Sequence, residues 1–98
     1  MAEVRWARQA SADLEAIAEF IALDSFHYAS LFAVDVIAVV ERLAVFPLSG
    51  RMVPELNEPT IREAVMGNYR IVYRTKPELI EILTVYHGAR LMDPSRLV

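Results

Sequence analysis

Cysteine is absent from this 98-residue chain, which excludes disulfide bonds and thiolate metal sites and is typical of the reducing cytoplasm. The chain also lacks the roughly 18 consecutive apolar residues that a membrane-spanning helix needs. Its first residues do not form the apolar stretch that secretory signals carry. The sequence therefore predicts a cytoplasmic protein that does not bind a membrane.

Histidine and glycine are scarce as well. The two histidines, His27 and His87, lie far apart, and neither has a second histidine at ligand spacing, so no metal site is predicted. The three glycines form neither a glycine-rich phosphate loop nor a G-x-S-x-G nucleophile motif. We therefore expect no cofactor.

Lysine occurs only once, as Lys76, among ten basic residues in a chain of net charge −3. An acidic balance argues against broad polyanion binding, whereas arginine is suited to bidentate contacts with carboxylates or phosphates. Residues 1–50 hold three arginines and seven acids, and residues 51–98 hold six arginines, Lys76 and six acids. The second half is thus the more basic one, although a helical half and a sheet half with different surfaces would give the same asymmetry.

What the chain has in excess is apolar residues, at 55% against about 45–50% in ordinary soluble domains. The excess is concentrated in the second predicted helix, where Leu31, Ile37 and Val45 widen the apolar stripe beyond one face. A helix that is apolar over most of its circumference is buried on more than one side. The pattern indicates a surface that a partner covers.

Periodicity predicts an α+β fold in a single domain, residues 1–98, with the element order β-α-α-β-β-β. A short edge strand precedes a helix that begins near Ser11, which places Asp13 and Glu15 in the first turn. A second helix, capped by Ser25, runs to about Phe46 and completes an antiparallel helical hairpin. The predicted segments are the hairpin at about 11–46, a loop at 48–59, a three-stranded antiparallel meander at 60–87 and a tail at 88–98.

The meander also predicts which side chains share a face. Gly67 and Asn68 suit a two-residue type II′ turn, and regular pairing from there predicts one open face and one face packed on the helices. The residues predicted on the open face are Glu63, Arg70, Val72, Arg74 and Glu81, with His87 farther along. Tyr86 is predicted on the helix side, and a one-residue bulge would exchange the two faces. The charged face is either a set of cross-strand ion pairs or a polar site.

Taken in order along the chain, the motifs resemble the RelE/ParE superfamily of toxins from type II toxin–antitoxin systems. The resemblance runs from about Val4 to Leu91 and rests on the segments "GRMVPEL", "IRE", "YRIVYR" and "HGAR". It implies a bacterial or archaeal toxin held inactive in a hetero-oligomer by a cognate antitoxin that covers the helical hairpin and the sheet. Leu31, Ile37 and Val45 are then candidates for antitoxin contact.

The resemblance also suggests residues for the toxic activity. Arg70 and Arg90 match arginines that contact phosphate in RelE-like mRNA endonucleases, and His87 falls where some nucleases have a general acid. The candidates for target contact are Arg70, Arg74, His87 and Arg90. The catalytic candidates, if the protein is a nuclease, are Arg70, His87, Arg90, Glu63 and Glu81.

Departures from the RelE pattern favour the ParE-like branch, whose members inhibit DNA gyrase. The lysines of RelE-like enzymes are missing, with Ile61 and Glu63 in their neighbourhood, and no tyrosine follows Arg90. We therefore predict a toxin that acts by binding gyrase, an activity that needs no catalysis; if the protein is an enzyme, it is an mRNA endoribonuclease. The alternatives are a ribosome-dependent mRNA endonuclease and a non-toxic module that only binds an antitoxin.

Overall fold

The computed structural model describes residues 1–88 and has an α+β architecture, as predicted. Two helices pack on one side of a five-stranded sheet of order β1-β5-β4-β3-β2. The elements are β1 (Glu3–Trp6), α1 (Arg8–Ala22), α2 (Phe26–Val45), β2 (Arg51–Met52), β3 (Ile61–Met66), β4 (Tyr69–Lys76) and β5 (Leu79–His87). Strand β1 pairs parallel to β5, and the other neighbours are antiparallel. Neither helix in residues 1–88 has the length and apolar content to cross a membrane.

The start of α1 differs from the prediction. The helix begins at Arg8 after Ala7, and the backbone N–H of Ser11 already donates to the Ala7 carbonyl at 3.1 Å. Ser11 is therefore inside the helix, and Asp13 lies in its second turn, where it is buried. The prediction for α2 is confirmed, because the Ser25 hydroxyl accepts from the Tyr28 N–H at 3.1 Å and caps the helix.

The hairpin of β3 and β4 has the predicted register, with Val65 opposite Arg70 and Glu63 opposite Val72. Gly67 has a φ of +57°, the left-handed conformation that the first central position of a type II′ turn requires. Turn chemistry thus fixed this register locally, and the prediction is confirmed.

The predicted register of β4 and β5, which paired Arg74 with Leu79 and Arg70 with Leu83, is wrong. Next to the turn it is two residues off, because Arg74 lies opposite Glu81, and a bulge then adds one more residue. Tyr73 lies opposite Ile82, but Val72 lies opposite Thr84, so Leu83 is an extra residue in β5. Such a β-bulge exchanges the two faces for every residue beyond it. In consequence Tyr86 lies opposite Arg70, a position that regular pairing would have given to a different residue.

The sheet face away from the helices is partly covered by the α2–β3 connection. Buried apolar residues there form a second, small cluster made of Val53, Ile61, Val72, Leu83 and Tyr86, with Leu56 packed against it. Prediction had left this whole face open. The connection also contains β2, which was predicted as loop and which pairs with β3 for two residues.

A buried tyrosine holds β2 in place. The Tyr73 hydroxyl donates to the Pro47 carbonyl at 2.8 Å and accepts from the Gly50 N–H at 2.9 Å. A Cβ on Gly50 would lie 2.5 Å from that hydroxyl and 2.7 Å from the Glu63 carbonyl, so only glycine fits here. The close approach brings the next residue, Arg51, into register opposite Glu63.

Candidate functional site

The charged cluster on the open face is centred on Arg70 of β4. Its Nη1 lies 3.2 Å from the Tyr86 hydroxyl, 3.5 Å from Glu55 Oε2 and 3.5 Å from Glu63 Oε1. The guanidinium carbon is 5.9 Å from the Tyr86 ring centroid, within the range of a cation–π contact. The hydrogen bond to Tyr86 and the charge of Glu63 raise the pKa of Arg70, so this residue stays cationic.

Glu63 of β3 is the buried anion of the cluster. Its side chain is fully buried, and its Oε2 accepts from Arg51 Nε at 2.9 Å and from Arg51 Nη2 at 2.7 Å. Its Oε1 has no hydrogen-bond partner among residues 1–88 and lies 3.5 Å from Arg70 Nη1. Glu63 therefore lies between two arginines, each of which it meets through a different oxygen.

Tyr86 of β5 contributes a hydroxyl that stays protonated. Burial raises the pKa of this phenol above its ordinary value, although the neighbouring Arg70 acts in the opposite direction. At neutral pH the group therefore accepts the hydrogen bond from Arg70 without acting as a base. Its ring packs with Val72 and Leu83 in the small apolar cluster, and its hydroxyl contacts Arg70. Tyr86 therefore connects the apolar cluster to the charged one.

The positive and negative charges of the cluster balance. Two arginines, Arg51 and Arg70, face two carboxylates, Glu55 and Glu63, so their formal charges cancel. A general base must reach the proton that it removes, and the Glu63 carboxylate is enclosed. The accessible parts of the cluster are the Arg51 side chain, 55% exposed, the Glu55 side chain, 33% exposed, and the edge of Arg70, 21% exposed.

The structure brings together only some of the predicted site residues. Arg70 and Glu63 meet, whereas Arg74 and Glu81 face each other farther along β4 and β5. Among residues 1–88 no ion pair joins these two to the Arg70 cluster. Arg90 lies outside the described residues.

His87 packs on the helix side of the sheet, contrary to the predicted face, but it also borders a depression of about 300 Å³ that Arg51 and Arg70 line. Its ring lies edge-on to Tyr69, with centroids 5.4 Å apart, and Tyr69 packs on Phe32 of α2. The bulge at Leu83 is the cause, because it turns Tyr86 to the open face and the following residue to the helix side. His87 lines a groove of 410 Å³ between α1 and β5.

Three residues of the site were not among the predicted site residues. Arg51 and Glu55 belong to the "GRMVPEL" segment, which was interpreted as a connecting loop, and Tyr86 was assigned to the helix side. The opposite charges of Arg51 and Glu55 were the available signal. A loop that carries both charges next to a charged strand face can form ion pairs with that face, as Arg51 does with Glu63 and Glu55 with Arg70.

The predicted antitoxin-contact residues lie on the outer face of α2. Leu31, Ile37 and Val45 have exposed fractions of 43%, 42% and 50%, and Val34 between them is 63% exposed. We call these four residues the α2 stripe. In the lone chain these apolar side chains are exposed, as expected of a surface that a partner covers in the complex. Their role in antitoxin binding stays a prediction.

Comparison with known proteins gives a consistent family. The family model described as "ParE toxin of type II toxin-antitoxin system, parDE" matches residues 4–92. Toxin RelE2 of Caulobacter vibrioides is 36% identical over 92 residues, which cover 93% of this chain and 100% of that protein.

Two solved structures have the same fold. The chromosomal ParDE system of P. aeruginosa matches with a TM-score of 0.72 and 26% identity, over 89% of this chain and 96% of that one. The toxin–antitoxin complex RelBE2 of Mycobacterium tuberculosis matches with a TM-score of 0.63 and 26% identity, over 88% and 96% of the respective chains. The chain therefore belongs to the ParE toxin family of type II toxin–antitoxin systems, within the RelE/ParE superfamily.

Proposed function

We propose that this toxin arrests growth by binding DNA gyrase through the open-face cluster and that it does not cut mRNA. The observation that carries the proposal is the pairing of Arg51 and Arg70 with Glu63 and Glu55. In this arrangement the arginines are held in fixed positions, and their charge is neutralised before any target arrives. The resemblance to ParE-like toxins supplies gyrase as the target.

RNA cleavage would require a different distribution of charges from the one in this cluster. The 2′-hydroxyl must lose its proton, and the extra charge on the phosphate must be offset in the transition state. Here the carboxylate nearest the arginines is buried, and burial keeps Tyr86 protonated. The chain as a whole carries a net charge of −3, which opposes the approach of a polyanion.

Inhibition of supercoiling is the direct test. Purified toxin, titrated into bacterial gyrase with relaxed plasmid and ATP, is expected to reduce the supercoiled product in a saturable way. Full supercoiling activity at saturating toxin would reject the proposal. Primer extension on mRNA from translating ribosomes tests the alternative in parallel, because codon-positioned cuts would indicate a RelE-type endonuclease. Normal growth on induction of the lone chain would instead indicate a non-toxic antitoxin-binding module.

The second part of the proposal is that a cognate antitoxin neutralises the toxin by covering the α2 stripe. The stripe leaves several apolar side chains in water, and covering such side chains releases about 25 cal/mol for each Å² of apolar surface. A partner with a matching apolar segment fits this surface.

A charge in the middle of the α2 stripe should therefore block the antitoxin. Ile37→Asp is expected to weaken antitoxin binding by at least about tenfold, since a desolvated carboxylate costs more than the roughly 1.4 kcal/mol that a factor of ten represents. Isothermal titration calorimetry with the antitoxin encoded beside the toxin measures the effect. Asp35→Asn, on the same helix and also exposed, is the control and should bind normally. Equal affinity of Ile37→Asp and wild type would contradict the assignment.

A further inference from the structure

A carboxylate is buried between α1 and β5, away from the charged cluster. Asp13 is 7% exposed and points from the second turn of α1 to the sheet. Its Oδ2 accepts from the Thr84 hydroxyl and, at 3.1 Å, from the Val85 N–H, while its Oδ1 accepts from Gln9 Nε2 at 2.6 Å. Both oxygens are thus occupied, and the Thr84 and Val85 donors belong to one short segment of β5.

That segment follows the β-bulge at Leu83 directly. Strand β1 pairs with β5 only as far as Ile82, so the edge of β5 beyond it has no β1 residue opposite, and a buried N–H group there must find another acceptor. The Asp13 carboxylate is such an acceptor for Val85, and the Thr84 hydroxyl adds a second bond at the same place. The bulge is therefore stabilised from the neighbouring helix and not only by the strand itself.

We propose that Asp13 is a positioning residue for the open-face cluster, because it holds the β5 bulge that sets Tyr86 opposite Arg70. The inference rests on the proposed function only in taking the cluster as the target-binding site. The geometry it concerns, namely which residue of β5 faces Arg70, can be measured without any target.

The alternative register shows what Asp13 prevents. Regular pairing beyond Tyr73 and Ile82 would place Val72 opposite Leu83 and Arg70 opposite Val85. Tyr86 would then turn to the helix side, and Arg70 would lose the hydroxyl that it now meets at 3.2 Å. An apolar valine would stand in its place on the charged face.

Backbone NMR of the full-length chain, uniformly labelled with nitrogen-15 and carbon-13, tests the proposal. In the wild type we expect cross-strand NOEs between Arg70 and Tyr86. In Asp13→Ala we expect those NOEs to weaken or vanish and NOEs between Arg70 and Val85 to appear. Asp13→Asn keeps an acceptor oxygen for the Val85 N–H, and it should keep the wild-type pattern. A lower melting temperature in Asp13→Ala with unchanged Arg70–Tyr86 NOEs would mean a purely structural role and would overturn the proposal.

A second pair of variants covers the case in which Asp13→Ala fails to fold. Thr84→Val removes the hydroxyl donor at nearly the same shape, and we expect a mixture of the two NOE patterns. Thr84→Ser restores the hydroxyl and should show only the wild-type pattern. A wild-type pattern in Thr84→Val would overturn the proposal.

The same variants separate this inference from the proposed function. If wild-type toxin inhibits gyrase, Asp13→Ala should lose at least about tenfold in potency, and Asp13→Asn should keep most of it. If wild-type toxin leaves gyrase unaffected, the proposed function fails, whereas the NOE pattern still decides the role of Asp13. A register shift with undiminished gyrase inhibition would overturn the link between Asp13 and the target-binding cluster.

Discussion

Replacing Glu63 with alanine is expected to lower the free energy of unfolding by about 3 kcal/mol. Removing one partner of a buried ion pair costs roughly 3–5 kcal/mol, because the remaining charge is left without compensation. The lower end applies here, since the Arg51 side chain is 55% exposed and can be rehydrated. The Arg70 side chain, at 21% exposure, is the more heavily penalised of the two. Urea denaturation followed by circular dichroism gives the value.

Glu55→Ala is the matched control for this prediction. Glu55 also lies 3.5 Å from Arg70, but its side chain is 33% exposed, and ion pairs near the surface contribute about 0–1 kcal/mol. We therefore expect a loss below about 1 kcal/mol for the control. Similar losses in Glu55→Ala and Glu63→Ala would contradict the prediction that the buried Glu63 contributes more to the stability of the fold than the partly exposed Glu55.

The parts of the fold that depend on local chemistry could be predicted from the sequence. Ser25 caps α2 as expected, and Gly67 adopts the positive φ that fixes the register of β3 and β4. In each case the determining residues lie within a few positions of the structure they specify. Hydrophobic periodicity had already predicted the α+β fold class, and the family resemblance, carried by four short motifs, added the toxin–antitoxin context.

The parts that depend on contacts between distant elements could not be predicted. The β5 bulge is stabilised by Asp13, 72 positions from Val85, and no local pattern in β5 reveals it. Missing the bulge reversed the faces of Tyr86 and His87. The start of α1 was misplaced for a similar reason, since the Ala7 N–H donates to the Ile82 carbonyl at 2.8 Å and the helix begins directly afterwards.

Burial of a charged residue was also hidden from the sequence. The sequence predicted Glu63 as one member of an exposed charged face. Of the two interpretations of that face, cross-strand ion pairs and a polar site, the first is confirmed for Glu63 and Arg70. What pattern reasoning could not show is that residues of the "GRMVPEL" segment fold over the strand. Arg51 reaches Glu63 only because Tyr73 holds the Gly50 backbone close to the sheet.

The largest functional effect is expected at Arg70. Arginines that anchor an interface typically contribute about 2 kcal/mol or more, which corresponds to roughly a 30-fold change in affinity. Arg70→Gln should therefore reduce the potency of gyrase inhibition by about that factor. Arg70→Lys should recover little of the loss, because an ammonium group lacks the planar, delocalised guanidinium whose carbon lies 5.9 Å from the Tyr86 ring centroid. Supercoiling assays over a range of toxin concentrations give the potencies.

Two controls distinguish a lost contact from a damaged fold. Arg8→Gln removes an exposed arginine at the start of α1, and it should leave potency unchanged, which shows that net charge alone is not responsible. Antitoxin affinity of Arg70→Gln should also stay at the wild-type value, because the α2 stripe lies on the opposite side of the sheet from the cluster. The fold itself should persist, because the Arg51–Glu63 pair, with Arg51 Nη2 2.7 Å from Glu63 Oε2, does not involve Arg70. Undiminished gyrase inhibition by Arg70→Gln would remove the open-face cluster as the target-binding site, and an equal loss in Arg8→Gln would show that the effect is one of overall charge.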